Sequence, residues 1–409
     1  MYSYDEALNI ILNKAQPLPL EIHTVEDALD CILAADITAN INVPPFANSA
    51  MDGYAFRALD IADASLANPI KLPIQQSIAA GAEHSPHALK GGTAAEIMTG
   101  APTPAGADTV IPVERTQRDE SFLIFTEPYP TGCNIRSAGE DMKIGQRIAR
   151  AGHRITAALV PALCSLGRGT VPVTPRPKIV WLSTGQELVD DFSAPLGPSQ
   201  IYNSSGPFGE SMAAPLGADL LWRRTVADDG TGFQTALNEA MKGPADVIIS
   251  TGAVSVGKYD FVRSELTKLG AEIFLHRAKV KPGKPILFAR LSNGKYFFGL
   301  PGNPVSTAMG LRMFVSPFLR ALSGQATEKP IKARLTNPIQ ASKRLTCFLK
   351  GRVECSDTGT LVVHCLQGQE SFKVAPMVQM NCWIKHPEGL EVLAEGSLVD
   401  CIPFFPLNS

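Results

Sequence analysis

Lys281 and Lys284 stand three residues apart in KVKPGKP (279–285), on either side of a Pro-Gly turn, with Arg277 just upstream. The two prolines restrict the backbone, so both ammonium groups can converge on one anion, a use to which lysine suits as a compact point charge. The same residues also make an ordinary solvated basic turn. LPGNPVS (300–306) follows an apolar run and opens a helical one. Pro304 suits the first helical position and Asn303 the cap before it, while Ser306 falls in the first turn, where backbone N–H groups attract anions. GAVSVGKY (252–259) nearly matches the phosphate-cradling GxxxxGK[ST] loop, but Tyr259 stands where Ser or Thr would ligate magnesium. A nucleoside-triphosphate loop and a simpler cradle of N–H groups for an oxyanion both stay open.

Carboxylates accompany these turns. Glu187 lies in STGQEL, Asp228 and Asp229 in VADD, and Asp260 follows GAVSVGKY. Converging, they would hold a hard cation such as Mg²⁺; singly, each is a surface or helix cap. Nearer the N-terminus, NSAMDGYAFR (48–57) offers Asp52 in an Asx-type turn flanked by Met51, Tyr54 and Phe56. EIMTGAPTPAGADTVIPVE (96–114) offers Thr99 in a turn of small residues, and GED (139–141) offers Asp141.

The elements that must position these groups follow from periodicity. YDEALNIILNKA (4–15) and VEDALDCILAADI (25–37) carry apolar residues spaced as on one helical face. From 44 to about 150, short β-rich runs separated by Gly and Pro predict a β domain. A short helix and a strand follow at 156–173, then PRPK as a linker. After Lys178 apolar strands alternate with helices: KIVWLS, LLWRRTV, ADVIIS and KYFFGL are the strands. That pattern predicts a mostly parallel sheet with ligands beyond the strands' carboxyl ends. The turns quoted above fall at those ends. From about 328, five further short strands predict a small barrel or sandwich.

At 409 residues the chain suits two to four domains. With 45% hydrophobic and 19% charged residues and a net charge of −2, it reads as a soluble protein without the basic surface of a nucleic-acid binder. The start, MYSYDEALNIILNK, lacks the basic, apolar pattern of a signal peptide, and ITAALVPALCSL (155–166) is too short for a membrane span. Eight scattered cysteines without CxxC, and histidines without HExxH, suggest reduced thiols, no zinc site and a cytoplasmic protein.

Taken together, PPFANSAMDGYA, IMTGAPTPAGADTVIPVE, RSAGEDMKIG, STGQEL, VSVGKYDF, KPGKP and LPGNPVS resemble, in order and over nearly the whole chain, the molybdopterin molybdenumtransferases of the MoeA type, which include the E domain of gephyrin. The resemblance implies a multidomain α/β protein. Its parts are a discontinuous helical linker domain (1–43 and 138–175), a β-rich domain (44–137), a molybdopterin-binding α/β domain (176–326) and a C-terminal β-barrel (327–409). It implies insertion of molybdate into molybdopterin-AMP with release of AMP, dependent on Mg²⁺. It also implies a homodimer whose cleft is shared, with Asp52 and Thr99 reaching into the partner, and contact with a molybdopterin adenylyltransferase. Catalytic roles would fall to Asp52, Thr99, Asp141, Asp260 and Lys281. Substrate would meet Ser183, Thr184, Gly252, Ser255, Gly257, Arg277, Lys281, Lys284, Pro301, Gly302, Asn303 and Ser306, and Mg²⁺ a subset of Glu187, Asp228 and Asp260. A non-catalytic scaffold of the same fold is the alternative. The chain departs from the family in Ala253 for a glycine, in Arg277 for a lysine, in QGQES (367–371) for a shorter QGS pattern, and in Lys350 where Arg is common.

Overall fold

The computed structural model describes residues 1–81, 86–227, 230–253 and 261–407. The chain forms two compact units: Met1–Ala35 with Ala151–Thr156 and Thr170–Ser409, and Asp36–Arg150 with Ala157–Gly169.

The smaller unit is built on a six-stranded sheet in which Gly53–Phe56 lies between Ala94–Ile97 and the edge strand Thr109–Pro112. Tyr54 and Phe56 are buried on it, with Phe56 packed against Phe125 at 4.7 Å between ring centroids. Met51, which flanks the same turn, precedes the strand and is 41% exposed. The other β-rich runs appear as Ile70–Ile78 and Phe122–Phe125, and the short helix as Val160–Ser165.

The larger unit holds a six-stranded sheet in which Asp219–Val226, Lys178–Thr184, Val247–Thr251 and Tyr296–Leu300 run parallel in that order. Leu287–Arg290 and Glu272–Leu275 continue it antiparallel. Alternate residues of the buried strands point to opposite faces, so each face gathers its own core. Ile179, Trp181, Ile249 and Phe298 pack against the helices Tyr4–Leu12, Ser205–Ala213 and the helical run from Pro304 to Leu322. Val180, Leu182, Ile248 and Phe297 pack against Gly230–Lys242 and Phe261–Lys268. The first helix starts in a capping box, with the Ser3 N–H donating to Glu6 Oε2 at 2.8 Å and Ser3 Oγ accepting from the Glu6 N–H at 3.3 Å.

Residues 25–37 are not the second helix that their periodicity suggests. Thr24 accepts from the Asp27 and Ala28 N–H groups in one turn, and Asp30 then adopts φ +66°, which breaks any helix. Ile32–Leu33 instead pairs with Thr170–Thr174, and Ile37–Thr38 with Arg147–Ala149. Tertiary strand pairing has overridden a weak local preference.

The five tail strands close into a barrel: Thr346–Cys355, Leu361–Cys365, Ile331–Leu335, Leu398–Pro403 and Cys382–His386, the last pairing back onto the first. Closure removes the exposed edges that an open sheet would carry. Among the described residues no helix is long and apolar enough to cross a membrane.

The helix Ser205–Ala213 can lie on the sheet only because Gly209 has no side chain: a Cβ there would sit 2.5–2.6 Å from the Trp181 ring. Gly209→Ala should therefore destabilise the chain by about 1–3 kcal/mol, the usual cost of overpacking. The check is the denaturant midpoint at unchanged slope; a wild-type midpoint would contradict this packing.

Candidate functional site

The parallel strands end in turns that meet one another. The Gly252 N–H donates to Leu300 O at 3.0 Å, Thr184 Oγ1 donates to Thr251 O at 3.1 Å, and a Cβ on Gly302 would sit 3.4 Å from the Gly252 Cα. Ala253 follows at φ +51°, a left-handed conformation that a side chain adopts at a cost of roughly 1–2 kcal/mol. The methyl group that departs from the family's glycine is accommodated at that expense.

Above these turns opens a cavity of about 1580 Å³. Thr184, Glu187, Gly252, Lys281, Lys284, Pro301, Gly302, Asn303 and Ser306 line it, together with barrel residues that include Cys347 and 367–372. Val280–Lys281 is a short strand paired with Thr346–Cys355 of the barrel, which places Lys281 opposite Cys347. Gly283 then turns the chain at φ +82°, so close to the following helix that a Cβ would meet Met309 Cε at 2.5 Å and Ser306 O at 3.3 Å. Only glycine satisfies both demands. The turn therefore holds both lysines against the PGNP turn, whose shape is fixed by Thr307 Oγ1 donating to Pro301 O at 2.6 Å. Lys281 and Lys284 are exposed and make no ion pair among the described residues.

Glu187 is exposed at the cavity, and its carboxylate has no hydrogen-bond or ion-pair partner among the described residues. An uncommitted carboxylate beside a polar cavity fits a hard divalent cation. Asp228 and Asp260, the other candidate ligands, lie outside the described residues, as do Ser255 and Gly257. Among the described residues no three His, Cys, Asp or Glu side chains converge on a metal position.

In the smaller unit, Asp52 and Thr99 are brought together. Asp52 Oδ1 accepts from the Thr99 N–H at 2.6 Å and from Thr99 Oγ1 at 2.7 Å. These two bonds, the backbone one foremost, hold the Asp52 carboxyl below the usual carboxylate range. Asp141 is exposed on a turn of the same unit, and its carboxylate makes no hydrogen bond among the described residues.

Residues 2–167 match the MoeA N-terminal region (domain I and II), residues 180–321 the "Probable molybdopterin binding domain", and residues 332–404 the MoeA C-terminal region (domain IV). The molybdopterin molybdenumtransferase of Synechococcus elongatus is 33% identical over 97% of this chain and 98% of its own length. That of Bacillus subtilis is 33% identical over 97% and 93%. The chain belongs to the molybdopterin molybdenumtransferase family. Its fold agrees: a molybdopterin biosynthesis MoeA protein of Pyrococcus horikoshii superposes with a TM-score of 0.82 at 29% identity, covering 99% of both chains. A second structure of such a protein from the same organism gives 0.81 at 26% identity, covering 98% of both. Membership places the chain in molybdenum cofactor biosynthesis.

Other residues singled out from the sequence stand apart from the cavity lining of this family member. Ser183 is 1% exposed, one position before Thr184, and does not line the cavity. Arg277 is half-buried between strands and does not line the cavity; burial foremost, then the charges of Arg263 and Arg277, depresses the His276 pKa. Asn303, which does line the cavity, occupies the cap position of its helix without a capping bond; its amide donates to Ser371 Oγ at 3.2 Å, and the Val305 N–H donates to Ser371 O at 3.3 Å. Sequence reasoning missed Asn203–Ser205 in the lining. Asn203 Oδ1 accepts from the Gly206 N–H at 3.0 Å, and the Asn-Ser-Ser-Gly run before a helix is the cap signal that could have revealed it.

Thr99→Val removes the hydroxyl donor and should raise the Asp52 pKa towards the ordinary value. The folded pKa is the lowered one. The stabilisation linked to Asp52 is therefore present above its unfolded pKa and is lost as pH falls through the folded value, and the variant should narrow that window. Carboxyl-carbon NMR titration reads it directly; an unmoved Asp52 curve would contradict the bond's role.

Proposed function

We propose that this chain inserts molybdate into molybdopterin-AMP and releases AMP, using the cavity between its α/β sheet and its barrel. The observation that supports this reading is the pair of ammonium groups, Lys281 and Lys284, on one glycine turn in a cavity large enough for a nucleotide-linked pterin, with no carboxylate paired to them among the described residues. Two anions must meet for the reaction to proceed, and their repulsion is the first barrier. Positive charge fixed beforehand offsets that repulsion without reorganisation during the reaction.

In the chemistry proposed, the substrate's two dithiolene sulfurs bond to molybdenum as two molybdate oxygens leave as water. One water equivalent adds across the phosphoanhydride, whose P–O bond breaks to give AMP and the phosphate left on molybdopterin. Lys281 and Lys284 would hold the oxyanions, and the turn amides of 301–303 would add donors. Glu187, with Asp228 and Asp260, would hold Mg²⁺, which when bound supplies charge to neutralise the pyrophosphate. No protein thiol is needed, since the sulfurs belong to the substrate. We further propose that the Asp52–Thr99 pair acts in the site of a second copy in a homodimer, with Asp141 on the same unit. Its support is the family resemblance and a carboxylate already held ionised on the surface. A molybdopterin adenylyltransferase is the partner whose product this chain would consume.

Lys281→Ala or Asp260→Asn should lower AMP release from molybdopterin-AMP at least about a hundredfold while the protein stays folded, as expected for loss of a preorganised charge. Purified protein, molybdate and quantified AMP suffice. Wild-type turnover in both variants would refute the assignment.

A further inference from the structure

We propose that Lys350 and Gln369 form a buried clasp that holds the barrel loop 367–373 in place as a wall of the cavity, so that both act as positioning residues for oxyanion binding; this rests on the function proposed above. Lys350 lies in the strand Thr346–Cys355, and its side chain is wholly buried. Its Nζ donates to Glu370 O at 3.2 Å and to Lys373 O at 3.1 Å, two carbonyls of the loop. Gln369 completes the arrangement with its side-chain amide. Its Oε1 accepts from the Lys350 N–H at 2.9 Å, and its Nε2 donates to Lys350 O at 3.0 Å and Leu366 O at 2.7 Å. The amide thus pairs with both backbone groups of one strand residue, as a neighbouring strand would.

The loop so gripped is tied at its tip to the other wall. Ser371 O accepts from the Val305 N–H at 3.3 Å, and Ser371 Oγ accepts from Asn303 Nδ2 at 3.2 Å. Asn303 lines the cavity, and so do the loop residues Gln367 to Phe372, whereas Lys350 does not. A buried ammonium is costly unless its donors are matched. Lys350 lies opposite Trp383 on the neighbouring strand, and an apolar side chain would fill the same volume without that cost. What an apolar side chain could not do is satisfy two loop carbonyls. The charge is therefore explained by the loop, and the loop's position decides which groups face the substrate.

The test uses the full chain with Lys350→Met, Lys350→Arg and, should the first fail to fold, Gln369→Leu. Calorimetry measures molybdate alone and AMP alone, and hydrogen–deuterium exchange follows the peptide spanning 366–374. Lys350→Met is expected to weaken molybdate binding about tenfold, the effect of one charged hydrogen-bonding group. AMP binding should stay within about twofold by the same measure, exchange in the loop should accelerate, and Lys350→Arg should recover part of both losses. Native exchange across 366–374 in the Met and Leu variants, or equal weakening of molybdate and AMP, would overturn the proposal. Wild-type protein that binds no molybdate would refute the function above instead, and the exchange measurement would still decide the clasp.

Discussion

Setting two lysines on one short glycine turn that lines a polar cavity is the constraint around which the larger unit is organised. Several other cations are matched by carboxylates, as Arg312 is by Glu328, Arg224 by Glu239 and Lys279 by Glu388. Lys281 and Lys284 have no such partner among the described residues, and their mutual repulsion favours splaying. The backbone fixes the positions from which they extend. Gly283 sits against Met309 and Ser306 at distances that exclude any side chain, so the turn cannot relax without unseating a helix. That helix is anchored in turn by Met309, Phe314 and Phe318, which belong to the main core. Rigidity gained from hydrophobic packing is thereby converted into electrostatic preparation of a cavity.

Much of this could be read from residues alone, where local and global preferences coincide. The strands Lys178–Thr184, Val247–Thr251 and Tyr296–Leu300 announce themselves as uninterrupted apolar runs because both of their faces are buried. The turns after them stood out because a strand end followed by Gly, Pro and Ser has few structural uses, and Thr184, Gly252 and Pro301 do meet at one place. The five barrel strands were equally legible, since each is short and bounded by turn residues.

What escaped depended on distant partners. Residues 25–37 carry a helical period, yet Ile32–Leu33 is claimed by a strand some 140 positions later, a pairing that no local window contains. Asn303 looks like a cap, and only the arrival of Ser371 explains why its amide turns elsewhere. Lys350 is the sharper case. A lysine within TCFLKGRVE reads as a solvent-facing residue, and the carbonyls that bury it come from a loop twenty residues away. Met51 fails in the opposite sense, an apolar residue left at the surface by a strand that begins two positions later.

Lys281 and Lys284 belong to different bodies of the fold despite their nearness in the chain. Val280–Lys281 is hydrogen-bonded to the barrel strand at Thr346 and Cys347, whereas Lys284 leads within three residues into Leu287–Arg290 of the parallel-rich sheet. Phe348 and Trp383 of the barrel share one core with Phe298 and Phe314, so the same packed interior holds both anchors of the turn. A bound polyanion bridging the two amines would therefore act as a strut across a seam that hydrophobic packing already closes.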